Sequence, residues 1–212
     1  MSLPILHSFA GYSVYKASQR RPEERCWKLA LLCMVLANFA DLDFLPGILL
    51  GNAGRFHRGV THSVGAALLC GVLVGAAVKF WKKLPALKAF VIMASVYATH
   101  LVLDYLSGAE GMPVLWPWSS APFFSRAFIP CPAAAASFHT ACGLGDFLSR
   151  FLSPAGLSAI SFELFIVFTL WALVTFQGEL RRKVKLTNSL ALTRAGLAAF
   201  FFLGFVATKG MG

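Results

Sequence analysis

The sequence predicts an all-α protein, a polytopic bundle of transmembrane helices, on three observations. Of its 212 residues, 58% are hydrophobic and only 13% are charged, and the mean hydropathy is +0.69, whereas about a quarter of the residues are charged in an ordinary soluble domain. Apolar stretches of membrane-spanning length recur along the chain, and clusters of basic residues occupy alternate connections between them. We expect one integral membrane domain over residues 1–212.

Five apolar stretches are long enough to cross a bilayer, which takes roughly 17 to 25 helical residues. A shorter apolar segment, Leu3–Tyr15, lacks the basic region and the small-residue cleavage site of a secretory signal, so it predicts a short helix that is retained. Residues 106–154, between the third and fourth spans, form a predicted loop. The five predicted spans are Leu29–Leu49, Val60–Phe80, Leu84–Tyr105, Ala155–Phe176 and Leu190–Thr208.

The net charge of +10 is explained by topology. Most of the 19 basic residues fall in three clusters on alternate connections, so a chain that zigzags through the bilayer brings all three to one side, which the positive-inside rule identifies as cytoplasmic. The loop 106–154 then lies outside. Nucleic-acid binding is not expected, because it requires one contiguous basic footprint. The clusters are Lys16, Arg20, Arg21, Arg25 and Lys28; Lys79, Lys82, Lys83 and Lys88; and Arg181, Arg182, Lys183, Lys185 and Arg194.

Residue types that bind metals gather on the opposite side of the predicted bundle. All five His and six of the nine acidic residues lie near the outer ends of spans or in outer connections. Two independent features of the sequence, the basic clusters and the metal-ligating residues, therefore predict a single polar face on the extracytoplasmic side. These residues are His7, His57, His62, His100 and His139, with Asp41, Asp43, Asp104, Glu110, Asp146 and Glu163.

His100 and Asp104 stand four residues apart near the end of the third predicted span, so both side chains project from one helical face. This spacing suits two ligands of one metal ion, since ionisable residues within a span are functional candidates by default. An intrahelical hydrogen bond at a wet interface explains the pair equally well. The pair alone leaves both interpretations open.

The first predicted span ends in a pair of carboxylates, Asp41 and Asp43. On a continuous α-helix they would point apart, but they converge if the helix loosens before Pro46 and Gly47. Two carboxylates at this depth cost several kcal/mol unless a cation is present. The alternative is that they only mark the helix exit, but a metal explains the pairing better.

Two further histidines, His57 and His62, flank a short connection before the second span. Gly59 permits a tight bend there, and Thr61 or Ser63 can cap the following helix. The helix N-terminus and the nearby Arg55 and Arg58 predict a site for a phosphate or another anionic group of a substrate. For an isolated arginine at this depth, contact with lipid headgroups is the more common explanation.

His7 in the short first helix and Glu163, two turns into the fourth span, can reach the same outer cavity. An acid as deep as Glu163 needs a partner, so it is the stronger candidate of the two. Either Asp43 or Glu163 can act as a general base if it does not bind metal. His139, in the outer loop, is the weakest of the histidines and is interpreted as a surface residue.

Together these residues predict a centre for two divalent metal ions. Imidazole mixed with carboxylate suits Zn²⁺, Mn²⁺ or Fe²⁺ rather than Ca²⁺ or Mg²⁺, and zinc is the first choice. Such ions lower the pKa of bound water to roughly 7, and two of them can clamp the oxygens of a phosphoester, so hydrolysis is the expected chemistry. The predicted ligands are His7, Asp41, Asp43, His57, His62, His100 and Asp104.

The order of these motifs resembles the YdjM-like family of bacterial inner-membrane proteins, whose members are described as metal-dependent hydrolases. The resemblance covers roughly the first 120 residues and is most specific at His57–Ser63 and at His100 with Asp104. It implies an all-helical enzyme of the bacterial inner membrane that uses its motif residues as metal ligands. The motifs are His7; Asp41-x-Asp43 followed by Pro46; His57-Arg-Gly-x-Thr-His62-Ser; His100-x-x-x-Asp104; and Leu115-Trp-Pro-Trp118-Ser.

Other interpretations remain open. The order of ligands also resembles that of zinc-dependent phospholipase C enzymes, but no N-terminal Trp ligand is evident. The late His-x-x-x-Glu pair of those enzymes is also missing, because Gly143 stands four residues after His139. The same cluster can serve a metal-ion or proton transporter, and two of the histidines can bind haem. The expected substrate is a lipid or another envelope molecule. The sequence decides neither a disulfide between Cys131 and Cys142 nor the oligomeric state.

Overall fold

The computed structural model of the chain describes residues 4–19, 26–107, 111–124 and 141–181. This part of the chain has no β-strand, and its one isolated bridge joins Met112 to Phe123. The predicted all-α class is therefore confirmed. The α-helices are α1 (Pro4–Ser18), α2 (Trp27–Leu36), α3 (Phe44–Leu49), α4 (Val64–Lys82), α5 (Ala86–Leu106), α6 (Leu144–Phe151) and α7 (Pro154–Arg181).

Three helices in the described residues are long and apolar enough to cross a membrane: α4, α5 and the part of α7 over Pro154–Ala172. They correspond to the second, third and fourth predicted spans. The second span begins later than predicted, at Val64 instead of Val60, because Val60–His62 form a separate 3-10 turn before α4. The predicted fifth span, Leu190–Thr208, lies outside the described residues, so the count of five spans is not confirmed.

The predicted first span, Leu29–Leu49, is broken rather than continuous. Its two parts, Trp27–Leu36 and Phe39–Leu49, are bent by 52° and make a fourth span only if they are counted together. Asn38 lies at the break, where its amide Nδ2 donates to the Met34 carbonyl at 2.8 Å and to Ser8 Oγ of α1 at 2.8 Å. The side chain thereby ties the loosened backbone to the neighbouring helix.

A 3-10 helix, Phe39–Asp43, joins α2 to α3 and carries the predicted carboxylate pair. In a 3-10 helix three residues complete a turn, so residues two apart point about 120° from each other, against about 160° in an α-helix. This tighter winding brings Asp41 and Asp43 toward one side. The predicted loosening therefore occurs, but it begins at Asn38, well before Pro46.

Helix α4 packs with its small residues inside and its large residues outside. Its buried positions are Ala67, Gly71, Gly75 and Val78, while Leu69 and Leu73 are more than half exposed. A Cβ on Gly71 would lie 2.7 Å from the Ala94 Cβ of α5, so the two backbones approach closely. This arrangement fits a helix pair surrounded by lipid, where small residues mediate the contact.

Helix α1 is the predicted short N-terminal helix, and it crosses α2 at a glycine. A Cβ on Gly11 would lie 2.5 Å from the Cys33 carbonyl oxygen and 2.7 Å from the Ala37 Cβ. The close approach seats α1 against the core formed by α2, α4 and α5. Because His7 lies one turn from Gly11, the same contact sets the depth of that histidine.

The bundle has two chemically different ends. At the basic end, the Lys82 ammonium at the end of α4 lies 2.8 Å from Cys26 Sγ, just before α2, and the Cys26 backbone N–H donates to the Tyr15 hydroxyl at 2.6 Å. Two of the predicted basic clusters meet there, since Lys16 and Lys28 lie on these same helices. The opposite end, called the site end below, carries the predicted metal ligands. The third basic cluster begins at Arg181, and its other members lie outside the described residues.

The predicted loop 106–154 contains structure at the site end. Residues 111–124 fold over the start of α4, where the carbonyls of Val114 and Trp116 accept the backbone N–H groups of Val64 and Gly65 at 2.8 and 3.0 Å. Helix α6 also lies in this region, which the sequence analysis described only as a loop. Glu110, Cys131 and His139 lie outside the described residues, so the disulfide between Cys131 and Cys142 that the sequence left open is not tested.

We predict that Gly11→Ala lowers the thermal stability of the purified protein. The added methyl group meets backbone that cannot rotate away, so α1 must shift from α2, at a cost of about 1 to 3 kcal/mol. Thermal unfolding in detergent measures the change. Gly145→Ala in α6, where a Cβ meets nothing within 4 Å, is the matched control. Equal unfolding temperatures for the two variants would contradict the close helix crossing.

Candidate metal centre

Six of the seven predicted metal ligands meet at the site end. They come from α1, from the 3-10 helix, from the connection between α3 and α4, and from α5. Their donor atoms form two groups, and within each group all donor atoms lie within 4.8 Å of one another. The first group is Asp41, His57, His62 and Asp104, and the second is His7, Asp41 and His100.

Asp41 lies at the centre of this arrangement and belongs to both groups. Its Oδ1 atom is 3.4 Å from His100 Nε2, 3.6 Å from His62 Nε2 and 4.0 Å from His57 Nδ1. This oxygen is buried and has no hydrogen-bond partner within the described residues. A buried carboxylate oxygen that lies near imidazole nitrogens without a hydrogen bond to them has the environment of a metal ligand.

The rings of His62 and His100 are oriented by hydrogen bonds on their outer sides. His100 Nδ1 donates to the Ala37 carbonyl at 2.9 Å, so its Nε2 carries the lone pair. The two Nε2 atoms then face each other at 3.2 Å. A proton or a metal ion between or beside these atoms removes the repulsion that two lone pairs would have at that distance.

Asp43, predicted as both ligand and base, lies behind the histidines. Its Oδ1 is 2.9 Å from His57 Nδ1, and its Oδ2 is 3.2 Å from His62 Nδ1. Oδ2 also accepts the Thr61 hydroxyl at 2.7 Å and the Arg58 backbone N–H at 3.1 Å. A carboxylate that orients two ligating imidazoles is a regular partner of metal sites. Within the described residues Asp43 is in neither donor group.

The carboxylates set the protonation of the two histidines in the connection before α4. Burial opposes charge on His62, but its contacts with Asp41 and Asp43 outweigh that effect and raise its pKa to about 9. Burial lowers the pKa of His57, and the hydrogen bond with Asp43 only partly offsets it. The site thus favours positive charge at the position of His62 and keeps a neutral imidazole at His57.

Asp104 and His7 close the cluster from the α5 and α1 sides. Asp104 Oδ1 is 3.5 Å from His7 Nε2, and Asp104 Oδ2 is 3.6 Å from His62 Nε2. The His7 ring stacks on the His100 ring with centroids 3.8 Å apart and an interplanar angle of 15°. His100 and Asp104 are 3.9 Å apart, so their four-residue spacing serves a shared cluster rather than a direct hydrogen bond.

The two arginines predicted to bind an anion separate. Arg58 is buried, and its Nη2 lies 3.5 Å from Asp104 Oδ2 at the edge of the cluster. Arg55 is exposed and lies over the ring of its neighbour Phe56. The tight bend is made by Arg58 itself, whose φ is +61°, and not by the predicted Gly59, whose φ is −78°. A non-glycine residue in this region is strained, and the contacts of Arg58 with Asp43 and Asp104 hold it there.

The start of α4 is occupied by protein groups. Ser63 caps the helix by accepting the Ala66 N–H at 3.1 Å, and the loop carbonyls of Val114 and Trp116 accept the first two N–H groups of the helix. One of the two predicted caps is therefore confirmed, and Thr61 bonds to Asp43 instead. These amides do not form the anion site that the sequence analysis considered at this helix end.

Glu163, predicted as a general base, lies at the N-terminal turn of α1. Its Oε2 accepts the Leu6 backbone N–H at 3.1 Å, and its side chain is buried. Leu6 directly precedes His7, so Glu163 joins α7 to the turn that carries this predicted ligand. Within the described residues Glu163 is in neither donor group.

Sequence reasoning missed three residues that support the site. Tyr97 is buried on α5 one turn before His100, and its hydroxyl donates to the Thr61 carbonyl at 2.8 Å. Phe44 stacks on the His57 ring with centroids 3.9 Å apart, and the Ala37 carbonyl orients His100. The position of Tyr97 on the face of His100 could have indicated its role, but nothing in the sequence indicates the role of a backbone carbonyl.

The fold and the site define an all-α membrane protein with a buried group of histidines and aspartates that could hold a metal ion. Its nitrogen and carboxylate donors fit a transition metal better than Ca²⁺ or Mg²⁺. The chain belongs to the YdjM inner membrane protein family, whose model matches residues 3–181. The match extends through α7, well beyond the 120 residues on which the resemblance was noted.

The chain is also similar to the inner membrane protein YbcI of Escherichia coli (strain K12), with 28% identity over 141 residues. The alignment covers 65% of this chain and 75% of that relative. No solved structure matches the chain. The comparisons therefore establish an inner membrane protein family.

We predict that His100→Ala and Asp104→Ala insert and fold but bind metal at least about tenfold more weakly, since even the outer partners of ligands contribute that much. Elemental analysis and titration of the purified variants with zinc or manganese measure the loss. Asp146→Asn is the matched control, because this acid pairs with Arg150 at the same end of the bundle and outside the cluster. Undiminished metal content in both cluster variants would refute the assignment.

A separate prediction concerns the residue behind the ligands. Asp43→Asn keeps the shape of the side chain but loses acceptors for His57 and His62, so the affinity for zinc should fall by roughly 10- to 100-fold while one or more ions still bind at saturation. Competition with a chromophoric chelator gives the affinity. If Asp43→Asn abolishes binding even at saturating zinc, Asp43 is itself a ligand.

Proposed function

We propose that the protein is a membrane-embedded, metal-dependent hydrolase of a phosphoester or ester bond in a lipid or another envelope substrate. The observation that carries the proposal is the burial of Asp41 Oδ1 beside the Nε2 atoms of His100 and His62, at 3.4 and 3.6 Å. Buried carboxylates are retained at such a cost where they hold a cation. Zinc is the proposed metal, with manganese or iron as alternatives.

The proposed centre holds two ions that share Asp41. The two donor groups have this residue in common, and each brings at least one further imidazole of its own. His7 and His100 would complete one position, and His57, His62 and Asp104 the other. A bound zinc, manganese or iron ion supplies a Lewis acid that activates water and polarises the substrate oxygen.

The remaining residues have supporting roles in this proposal. Asp43 holds His57 and His62 in the tautomer and orientation that ligation needs. Glu163 fixes the turn of α1 that carries His7. Both were predicted as general bases, and their hydrogen bonds favour these positioning roles. Asp41 has the most exposed carboxylate of the cluster, at 16%, so substrate would approach from its side.

Arg58 is the proposed group that binds an anionic substrate. Its guanidinium is buried beside Asp104, where low polarity strengthens its attraction for phosphate oxygens. Arg55 remains a proposed contact of the outer part of the substrate or of lipid headgroups, since it is exposed near the same connection. A guanidinium in this place favours a phosphoester over a neutral ester.

A lipid substrate is supported by the surface around the 3-10 helix that carries Asp41. Phe39 and Leu42 of this helix are 45% and 46% exposed. They line a groove of about 290 Å³ with Ser8, Met34 and Asn38, between α1 and α2. An apolar groove beside a polar cluster suits a molecule with a hydrocarbon tail and a polar head.

The position of the cluster favours hydrolysis over transport. Asp104 lies two residues from the end of α5, about 3 Å along the helix, and His100 about 9 Å from it. Transport sites lie near the middle of the membrane. The cluster also lies opposite the basic end, so the positive-inside rule supports an extracytoplasmic site.

The test is hydrolysis by the purified, metal-loaded protein in mixed micelles. We expect phosphate or a phosphorylated headgroup to be released from a phospholipid or a phosphorylated lipid, with activity lost after a chelator and restored by zinc or manganese. His62→Ala should reduce the rate by about 100-fold or more, because it removes a group that acts with the others as a unit. Release of product is measured by phosphate assay and mass spectrometry.

Asp146→Asn again serves as the control that should keep full activity. Retention of activity by His62→Ala would indicate a contaminating enzyme. Metal-dependent ion flux in liposomes that requires His100, without product release from any lipid, would contradict hydrolysis and favour the transporter.

A further inference from the structure

Helix α6 has three different flanks. At 100° per residue, its apolar side chains cover one broad face, and Gly145, Asp146, Ser149 and Arg150 lie opposite. Arg150 pairs with Asp146 at 2.8 Å on the polar side. The apolar face itself divides into a phenylalanine flank, Phe147 and Phe151, and a leucine flank, Leu144, Leu148 and Leu152.

The phenylalanine flank packs against the bundle. Phe147 contacts Phe44 of α3 with ring centroids 6.1 Å apart, and Phe151 packs near Ala159 of α7. Both phenylalanines are partly buried. The backbone contact from the Ala53 N–H to the Ala141 carbonyl, 3.1 Å, holds the segment before α6 against the same surface.

The leucine flank, by contrast, is exposed: Leu144 by 60%, Leu148 by 48% and Leu152 by 67%. It continues into a surface that faces lipid, because α7 begins at Pro154, two residues after Leu152, and is one of the helices able to span the membrane. Leu157 on the first turn of α7 is likewise 44% exposed. The leucine flank therefore starts at the depth where the membrane begins.

We propose that α6 is a membrane-interface helix whose leucine flank inserts into the lipid leaflet at the site end. Its occupant is the bilayer that α7 spans, with acyl chains against the leucines and headgroups beside Asp146 and Arg150. Amphipathic helices with this division of faces lie in the boundary between headgroups and acyl chains. The inference requires a spanning bundle and does not depend on hydrolysis.

The insertion of α6 has a structural consequence for the metal centre. Phe147 contacts Phe44, and Phe44 stacks on His57. Lipid that holds the leucine flank in place therefore also holds Phe147 against Phe44. Through these two aromatic side chains, lipid bound along α6 would stabilise the position of His57.

Photo-crosslinking tests the proposal in vesicles of phosphatidylethanolamine and phosphatidylglycerol. Benzoylphenylalanine replaces Leu148 in one variant and Ser149, on the polar face, in its matched control. We expect lipid adducts, identified by mass spectrometry, to be roughly fivefold more abundant at position 148 than at 149. Equal adducts at both positions, or adducts at 148 to another part of this chain or to a second copy, would overturn the proposal.

A second measurement covers the case in which the bulky photoprobe disturbs folding. Leu148→Gln with Leu152→Gln should increase deuterium exchange of the α6 amides in vesicles and leave α4 and α5 unchanged, since only the lipid contact is weakened. Unchanged exchange in α6 would count against insertion. Neither experiment uses catalysis, so failure of the hydrolase proposal leaves their outcome intact.

Discussion

Three aspartates at one end of a membrane bundle, of which Asp104 is buried and Asp41 and Asp43 are partly buried, set the constraint on which the rest of the structure depends. Asp41, Asp43 and Asp104 lie among apolar helices, where unpaired carboxylates are costly. The four imidazoles and Arg58 around them supply donors and positive charge, yet Asp41 Oδ1 is left without a hydrogen bond in the described residues. A cation is the simplest way to balance the site, and the residues that could hold it come from α1, the 3-10 helix, the connection before α4 and α5.

The local structure serves this requirement at each step. The break in the first predicted span replaces α-helix by 3-10 helix and so turns both carboxylates toward the histidines. The close crossing at Gly11 brings His7 to the depth of His100. The strained bend at Arg58 lets its backbone N–H donate to Asp43 and brings its guanidinium beside Asp104.

Much of the fold could be predicted from the sequence, because it depends on hydrophobic composition and on the helical spacing of residues. Hydropathy identified α4, α5 and α7, and the four-residue spacing of His100 and Asp104 placed both on one face. Other features depend on tertiary contacts that have no local pattern. Asp43 was predicted as a ligand or a general base and Glu163 as a general base, but only the folded chain shows that Asp43 contacts two histidines and that Glu163 holds the start of α1. Helix α6 was missed because eight residues are too few for a hydropathy window to detect.

If the site acts as proposed, the loop that covers the start of α4 bears on substrate selectivity. The carbonyl dipoles of Val114 and Trp116 point at the first amides of the helix and oppose the positive end of its macrodipole. An anion bound at the cluster would therefore interact with the planar guanidinium of Arg58 rather than with the dipole of α4. Discrimination would then rest on the directional geometry of a guanidinium, which matches pairs of oxygens and distinguishes a tetrahedral phosphoryl group from a halide of equal charge.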